Sequence, residues 1–596
     1  MILGDMAEAE FRFRGRRINT IRGGWGEEMT RYREGRRWEG CRGKMRWYAI
    51  AVLLFAFSLP AQVLAFEIDS GNPDLKLRWE NTLRYTVADR VKKQNPHILA
   101  SPNNDDGDRN FKMGIVENRL DVLSEFDLIY KRLHGFRVSG AGWYDDAYRG
   151  QLDGSSLATS NHLDENGQPA LGLSSYAKRF YRGPSGEILD AFVFTGFDVG
   201  AIPVNVKVGR VTLFWGEGLL LGGIIHGISY GQSSIDAQKA FAMPGTEAKE
   251  LFRPRGQVNI QSQLTKTLSV SAQYFFEWEA AHLAEGGTYL GTSDPALFGG
   301  ESLVIAPGVP GVRFGKGGFI TPSNSGEWGV AARWSPEWLN GTLGAYYRKT
   351  SDILPQVIVS PATRSYFLNY GGDIDLLGVS LSKVILGISV GSELSYRWNM
   401  PLVSDTVSVV PGGPPGTIAA LPGSGETGGA RGNTWHGLVN LLGVLPRTML
   451  FNGASWNTEF TWNRWDKVTQ NPFVFRGRDS YTGIDKVSKD AFAVGLNFTP
   501  TWYEVLPGVS LSLPLSYSMG LGTNSAVTFG GNRGSGTYSG GLSADVYYTK
   551  YIFDLRYIGW FGDYATAANG SITVANGTNA LLKDRNEVVF TAKTTF

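Results

Sequence analysis

From residue 75 the chain alternates apolar and polar side chains: Leu75, Leu77, Trp79, Leu83, Tyr85 and Val87 share one face, Lys76, Arg78, Glu80, Thr82, Arg84 and Thr86 the other. A strand this long, charged on one face and carrying Leu, Trp and Tyr on the other, separates a wet lumen from lipid. The pattern returns until the terminal Phe596, for instance in Leu268, Val270, Ala272, Tyr274, Phe276 and Trp278, or Ile388, Val390, Leu394, Tyr396 and Trp398. In 115–130 it sets Val116, Leu120, Val122, Phe126, Leu128 and Tyr130 outward, with Glu117, Arg119, Asp121, Glu125 and Asp127 inward. The predicted strands are 75–91, 115–130, 136–148, 187–200, 204–215, 256–265, 268–279, 326–335, 341–350, 366–382, 388–400, 433–445, 448–466, 488–503, 508–522, 536–549, 550–563 and 585–596. This is an all-β chain: a single antiparallel up-and-down transmembrane β-barrel of about 18 strands, 16 being the alternative.

Short connections alternate with long ones, as in outer-membrane barrels. The long loops are 149–186, 216–255, 280–325 and 401–432, and three carry apolar runs: Leu219-Leu220-Leu221-Gly222-Gly223-Ile224-Ile225, Leu303–Pro307 and Val407–Leu421. Such runs must be buried, either folded into the barrel mouth or packed together as a lid outside the lumen. Residues 244–251 predict a helical turn, inside the lumen as a constriction or on the surface. No linker divides residues 66–596, which form one barrel domain.

The longest apolar run follows Met45-Arg46, spans Ala49–Leu59 and exits through Val63-Leu64-Ala65, so 45–65 reads as a secretory signal peptide cleaved before Phe66. Residues 1–44 read as upstream sequence ahead of the true initiator Met45, with a basic N-terminal arm as the alternative. Residues 1–65 hold 12 Lys/Arg and 7 Asp/Glu, leaving 45 basic and 48 acidic residues in the mature chain. Nothing basic remains to attract nucleic acid. The single cysteine, Cys41, falls in the removed segment, which leaves no thiol for a disulfide or a metal.

Candidate chemistry lies on the inward faces. Arg78, Glu80, Arg84, Arg119, Asp121, Glu125, Arg137, Glu277, Glu393 and Arg397 are the lumen and ligand candidates. Mixed sign there argues for an ion-pair network filling the barrel, the alternative being that Arg78, Arg84 and Arg119 hold a ligand carboxylate. Leu219, Leu220, Leu221, Ile224 and Ile225 form the apolar inward loop. Trp143, Phe275, Tyr547 and Trp560 are the candidates for an aromatic ladder of a sugar-type pore. The six histidines, His97, His134, His162, His226, His282 and His436, have no metal-ligand spacing. Asp105-Asp106-Gly107-Asp108 lacks the spaced ligands of a calcium loop and reads as a solvated turn. No serine-histidine-carboxylate set stands out. The expectation is no enzyme, no metal and no cofactor.

Phe66–Asp74 running into Leu75–Tyr85, Gly107–Phe111, Asn118–Asp121, Val208-Gly209-Arg210 with Trp215-Gly216-Glu217, Pro244–Glu250, and Glu393–Arg397 with Asn399-Met400-Pro401 resemble the proteobacterial outer-membrane family catalogued as domain of unknown function 1302. The resemblance covers nearly all of the mature chain. It implies a place in the outer membrane of a Gram-negative bacterium, beside a periplasmic companion and an inner-membrane transporter of the resistance-nodulation-division class. It also implies transport of a hydrophobic small molecule that is steroid-, lipid- or aromatic-like, a general or sugar-type diffusion porin being the alternative.

Overall fold

The computed structural model describes residues 66–150, 152–242, 248–306, 312–547 and 550–596. The predicted signal peptide, 45–65, and the predicted upstream segment, 1–44, lie outside the described residues. Eighteen antiparallel strands close into one barrel: β1 Leu75–Arg90, β2 Gly114–Tyr130, β3 His134–Asp145, β4 Ser185–Val199, β5 Ile202–Val211, β6 Arg255–Gln263, β7 Leu268–Phe275, β8 Trp328–Trp334, β9 Gly341–Thr350, β10 Ile374–Ile385, β11 Ile388–Pro401, β12 Arg431–Leu445, β13 Gly453–Gln470, β14 Asp490–Leu506, β15 Val509–Ser512 continued by Leu515–Gly520, β16 Gly536–Val546, β17 Tyr551–Phe561 and β18 Glu587–Thr595. Closure comes from β18 on β1, Glu587 opposite Arg90 and Thr595 opposite Thr82. No backbone edge is left to lipid. Every strand predicted from the alternation is present, because inward and outward faces meet different solvents along each strand.

The outer wall carries Leu120, Val122, Ile188, Val193, Leu377, Val379, Phe460, Leu496 and Leu555, all exposed to lipid. Trp328 with Tyr347, and Tyr396 with Trp398 and Trp435, cluster at the loop end, while Trp334 and Trp338 pair at the turn end. These are the two aromatic girdles of the lipid interfaces. Turn-end connections are tight: Leu386 and Gly387 both take positive φ, 52° and 82°, between β10 and β11, the two-residue turn that suits the strand twist.

Three details differ from the sequence expectation. Val116 is buried, not lipid-facing, because a bulge skips it between Glu117 opposite Ala88 and Ile115 opposite Asp89; it joins Ala88, Phe111 and Tyr148 in a core at the mouth. The tenth strand begins at Ile374, not 366: Ser365–Asn369 belongs to a separate six-stranded sheet with Ser302–Val304, Arg313–Ile320, Gln356–Ser360, Val407–Val409 and Thr417–Ile418. Two of the three apolar loops thus make strands of a loop-built sheet, with Ile358, Leu402, Val407, Val474 and Phe475 as its core. Finally, the aspartates at 105–108 are not a solvated turn, since Asp105 and Asp108 are fully buried.

Candidate functional site

The third apolar loop, 212–254, enters the lumen. It leaves β5, reaches β11–β14, which stand nearly opposite in a ring of eighteen, and returns past β1 and β4 to β6. An irregular segment inside a barrel must find partners for each N–H and C=O it buries. Here the wall supplies them with charged side chains. The Glu393 carboxylate on β11 accepts the N–H of Glu217, of Gly218 at 3.0 Å and of Ile228 at 2.6 Å. The Glu459 carboxylate on β13 accepts those of Leu219, Leu220 and Gly223 at 2.7, 3.2 and 2.6 Å.

Carbonyls are met by arginines. Arg397 donates to Gly227 O at 2.9 Å, Arg348 to Ile228 O and Tyr230 O at 2.8 and 2.7 Å, and Arg255 to Gly231 O at 2.5 Å. Glu393, Glu459, Arg348 and Arg397 make no ion pair among the described residues; their charges are spent on the loop backbone. Glycine is required where that backbone meets the wall: a Cβ on Gly216, at φ 93°, would lie 2.3 Å from Glu393 Oε1, and one on Gly223 2.4 Å from Glu459 Oε2. Leu220 packs over Gly495 of β14 and Ile228 over Gly378 of β10. Ile225 is buried with Tyr230 and Ile353, whereas Leu219 stays 46% exposed. The side chain of Leu221, which opens the helical turn Leu221–His226, is outside the described set.

At the end of that turn His226 meets His436 of β12, Nδ1 to Nδ1 at 2.9 Å, both fully buried. Gly530 O can only accept, so His226 Nε2, at 2.9 Å, carries a proton. Its Nδ1 then accepts from His436 Nδ1–H, and His436 Nε2 accepts from Thr434 Oγ1–H at 2.8 Å. This arrangement requires neutral rings, and burial supplies that at His226 by pushing its pKa down to about 4.

The returning limb is held differently. Arg84 forks onto Glu250 at 2.9 and 3.1 Å and stands 3.8 Å from Asp121. Lys239 donates to Glu187 at 2.9 Å, and Arg253 pairs with Glu187 and, at 2.7 Å, with Glu279. The helical segment around 248–251 is thus docked inside, through Glu250; residues 244–247 of the predicted turn lie outside the described residues.

The remaining predicted lumen residues scatter. Arg119 pairs with Asp121 at 2.8 Å and stacks on Trp143. Arg137 meets Glu125, and Arg78 meets Glu80 in the more open turn-end vestibule. Glu277 sits past the end of β7, at the rim, on Arg210 at 2.9 Å. The aromatic candidates do not line up, for Trp143, Phe275 and Trp560 are buried apart and Tyr547 is exposed beyond the end of β16. Missed by sequence reasoning were Glu459, Arg348, Arg255 and His436. Their inward register was readable from the alternation, but their loop partners, far away in the chain, carried no signal.

The family model described as "Protein of unknown function (DUF1302)" matches residues 44–596. The chain belongs to that family. This DUF1302 protein is a closed antiparallel β-barrel. No curated protein matches it. Among solved structures, OccAB4 of Acinetobacter baumannii is similar at 9% identity and a TM-score of 0.38, covering 88% of this chain and 100% of that one. OccAB1 of the same organism gives 11% and 0.39, covering 87% and 96%. OpdK of Pseudomonas aeruginosa, crystallised with vanillate, gives 10% and 0.36, covering 87% and 98%.

Proposed function

We propose that this barrel is a transport channel, not an enzyme, for a hydrophobic small molecule of steroid-, lipid- or aromatic-like character, with loop 212–254 as its gate. The observation that carries the reading is that an apolar loop segment, Leu219–Ile225, stands inside the lumen and leaves Leu219 uncovered there. A pore for sugars or salts gains nothing from an uncovered leucine, whereas an apolar substrate replaces its lost water contacts on such a surface. The polar vestibule of Arg78, Glu80, Arg137, Glu125 and Asp127 below the loop leads to the periplasm, where the family resemblance implies a carrier and a resistance-nodulation-division-type transporter. The sugar-porin reading would need an aromatic ladder, for which the four aromatic candidates lie too far apart in the fold to offer support.

The test is to reconstitute residues 66–596 in a planar bilayer and in liposomes. The expected result is a nearly silent barrel that passes a fluorescent sterol-like probe faster than protein-free liposomes while giving no sugar-driven swelling. Large ohmic openings with free sugar entry would replace this reading with the porin one.

A further inference from the structure

Away from the lumen gate, three loops converge on carboxylates that the transport reading does not use. Asp105 and Asp106 come from the loop between β1 and β2, Asp294 from the loop between β7 and β8; one oxygen from each lies within 4.8 Å of the others, and all three residues are buried. Arg109 occupies Asp105 Oδ2, and the neighbouring Arg313 donates to the carbonyls of Leu157, Ala158 and Ser160. Asp108, next in the chain, is instead paired with Arg90 at 2.7 Å. Among the described residues Asp106 and Asp294 form no ion pair.

A second observation is independent of the acids. Asn161, from the loop between β3 and β4, is 2% exposed and stands against the cluster, its N–H donating to Asp106 Oδ2 at 2.7 Å. Its Nδ2 is spent on Asn103 Oδ1 at 2.7 Å and Ser302 O at 2.6 Å, but its Oδ1 is buried without any hydrogen-bond partner. A buried oxygen with no donor is rare, because it forfeits its hydration for nothing in return. Asn161 Oδ1 beside three crowded carboxylates describes an oxygen-lined place fit for a cation.

We propose that Asp105, Asp106 and Asp294, with the Asn161 amide oxygen, bind a calcium ion that ties together the three loops. Calcium takes oxygen ligands at about 2.3–2.6 Å, so two oxygens on one ion stand up to about 5 Å apart, and it tolerates an irregular loop-built shell completed by water. Magnesium demands a tighter octahedron, and the site has neither the histidine nor the thiolate that zinc prefers.

The test uses the folded barrel, residues 66–596, refolded free of lipopolysaccharide in detergent and washed with chelator. Calorimetric titration with calcium chloride should show saturable uptake of one ion per chain, a raised Tm, and protection of the loops around 105 and 294 from protease, with magnesium much weaker. Asp294→Asn should lower calcium affinity about tenfold or more, since affinity follows the number of charged ligands. Asp153→Asn, at an exposed position nearby, should leave it unchanged. Absence of saturable calcium uptake by the unmutated barrel overturns the proposal whatever the variants do, as does full affinity in a folded Asp294→Asn.

Discussion

The two limbs of the lumen loop are fastened by opposite chemistries. On residues 217–231 the wall's charges meet backbone: two carboxylates take six N–H groups and three arginines take carbonyls. On residues 239–253 the wall's charges meet charges, as in Arg84 with Glu250 and Glu187 with Lys239 and Arg253. Side-chain pairs can be exchanged during evolution one residue at a time, but the first limb is held mainly through peptide groups, which every sequence has, with His226 on His436, Tyr230 on Asp352 and Glu217 near Arg333 as its side-chain contacts. Specificity there comes instead from the glycines that admit the carboxylates. The loop is thus hinged by its ion-paired limb and latched by its backbone-bonded one.

The largest effect that could break this contrast is loss of both latching carboxylates. Glu393→Ala with Glu459→Ala strands six N–H groups, each at a cost of about 1–3 kcal/mol when buried. The first limb should leave the wall, single-channel recordings should change from silent to open, and protease should cut near 219; a double variant as silent as the parent refutes the latch. Next in size, Arg84→Met leaves Glu250 without its forked partner, and breaking a buried pair costs about 3–5 kcal/mol. Hydrogen exchange should accelerate in 236–253 while 217–231 stays protected, and equal acceleration in both would show that the limbs are one unit.

Acid sharpens the comparison because only the first limb carries the histidine pair. His226 is depressed to about 4 from an ordinary 6.5, so the released loop binds the extra proton first. Docking is at full strength above pH 6.5 and weakens by up to about 1.4 kcal/mol per pH unit as pH falls towards 4. Protonation of His226 Nδ1 turns it from acceptor to donor against His436 Nδ1–H, with Arg397 adding repulsion and Glu393, already engaged by N–H groups, nearby. Channel opening should rise between pH 6.5 and 4, and His226→Gln should flatten that profile; an unchanged slope in the variant assigns the pH response elsewhere. Smallest of all, Arg78→Ala in the open vestibule should shift stability by less than about 0.5 kcal/mol and leave both limbs docked, as read by Tm and hydrogen exchange.

The barrel was legible in the sequence because each strand solves the same two-solvent problem, so the alternation at 75–87 and 388–398 needed no partner to be understood. What escaped was decided between distant segments. Ser365–Asn369 looks like the start of β10 because it continues the apolar run, and only its neighbours Gln356–Ser360 and Arg313–Ile320 draw it into another sheet. Val116 has the right parity for lipid, but one bulge reverses it. In the lumen Glu393 and Arg397 were readable as inward charges, yet not as acceptor and donor for a loop's backbone. His226 and His436 stand 210 residues apart, and no spacing rule reaches that far.

The seam between β18 and β1 brings Thr82 against Thr595, a separation of 513 residues, and Phe596 is zipped to Asn81 through both its N–H and its C=O. Until β18 has docked on β1 the sheet has two raw edges, and contacts so remote are slow to form. Folding therefore cannot proceed one hairpin at a time to a stable product in lipid: Glu587–Thr595 act as the clasp of a bracelet. A chain shortened by that one strand should persist as an open, aggregation-prone sheet even though it keeps seventeen of its strands and its whole gate.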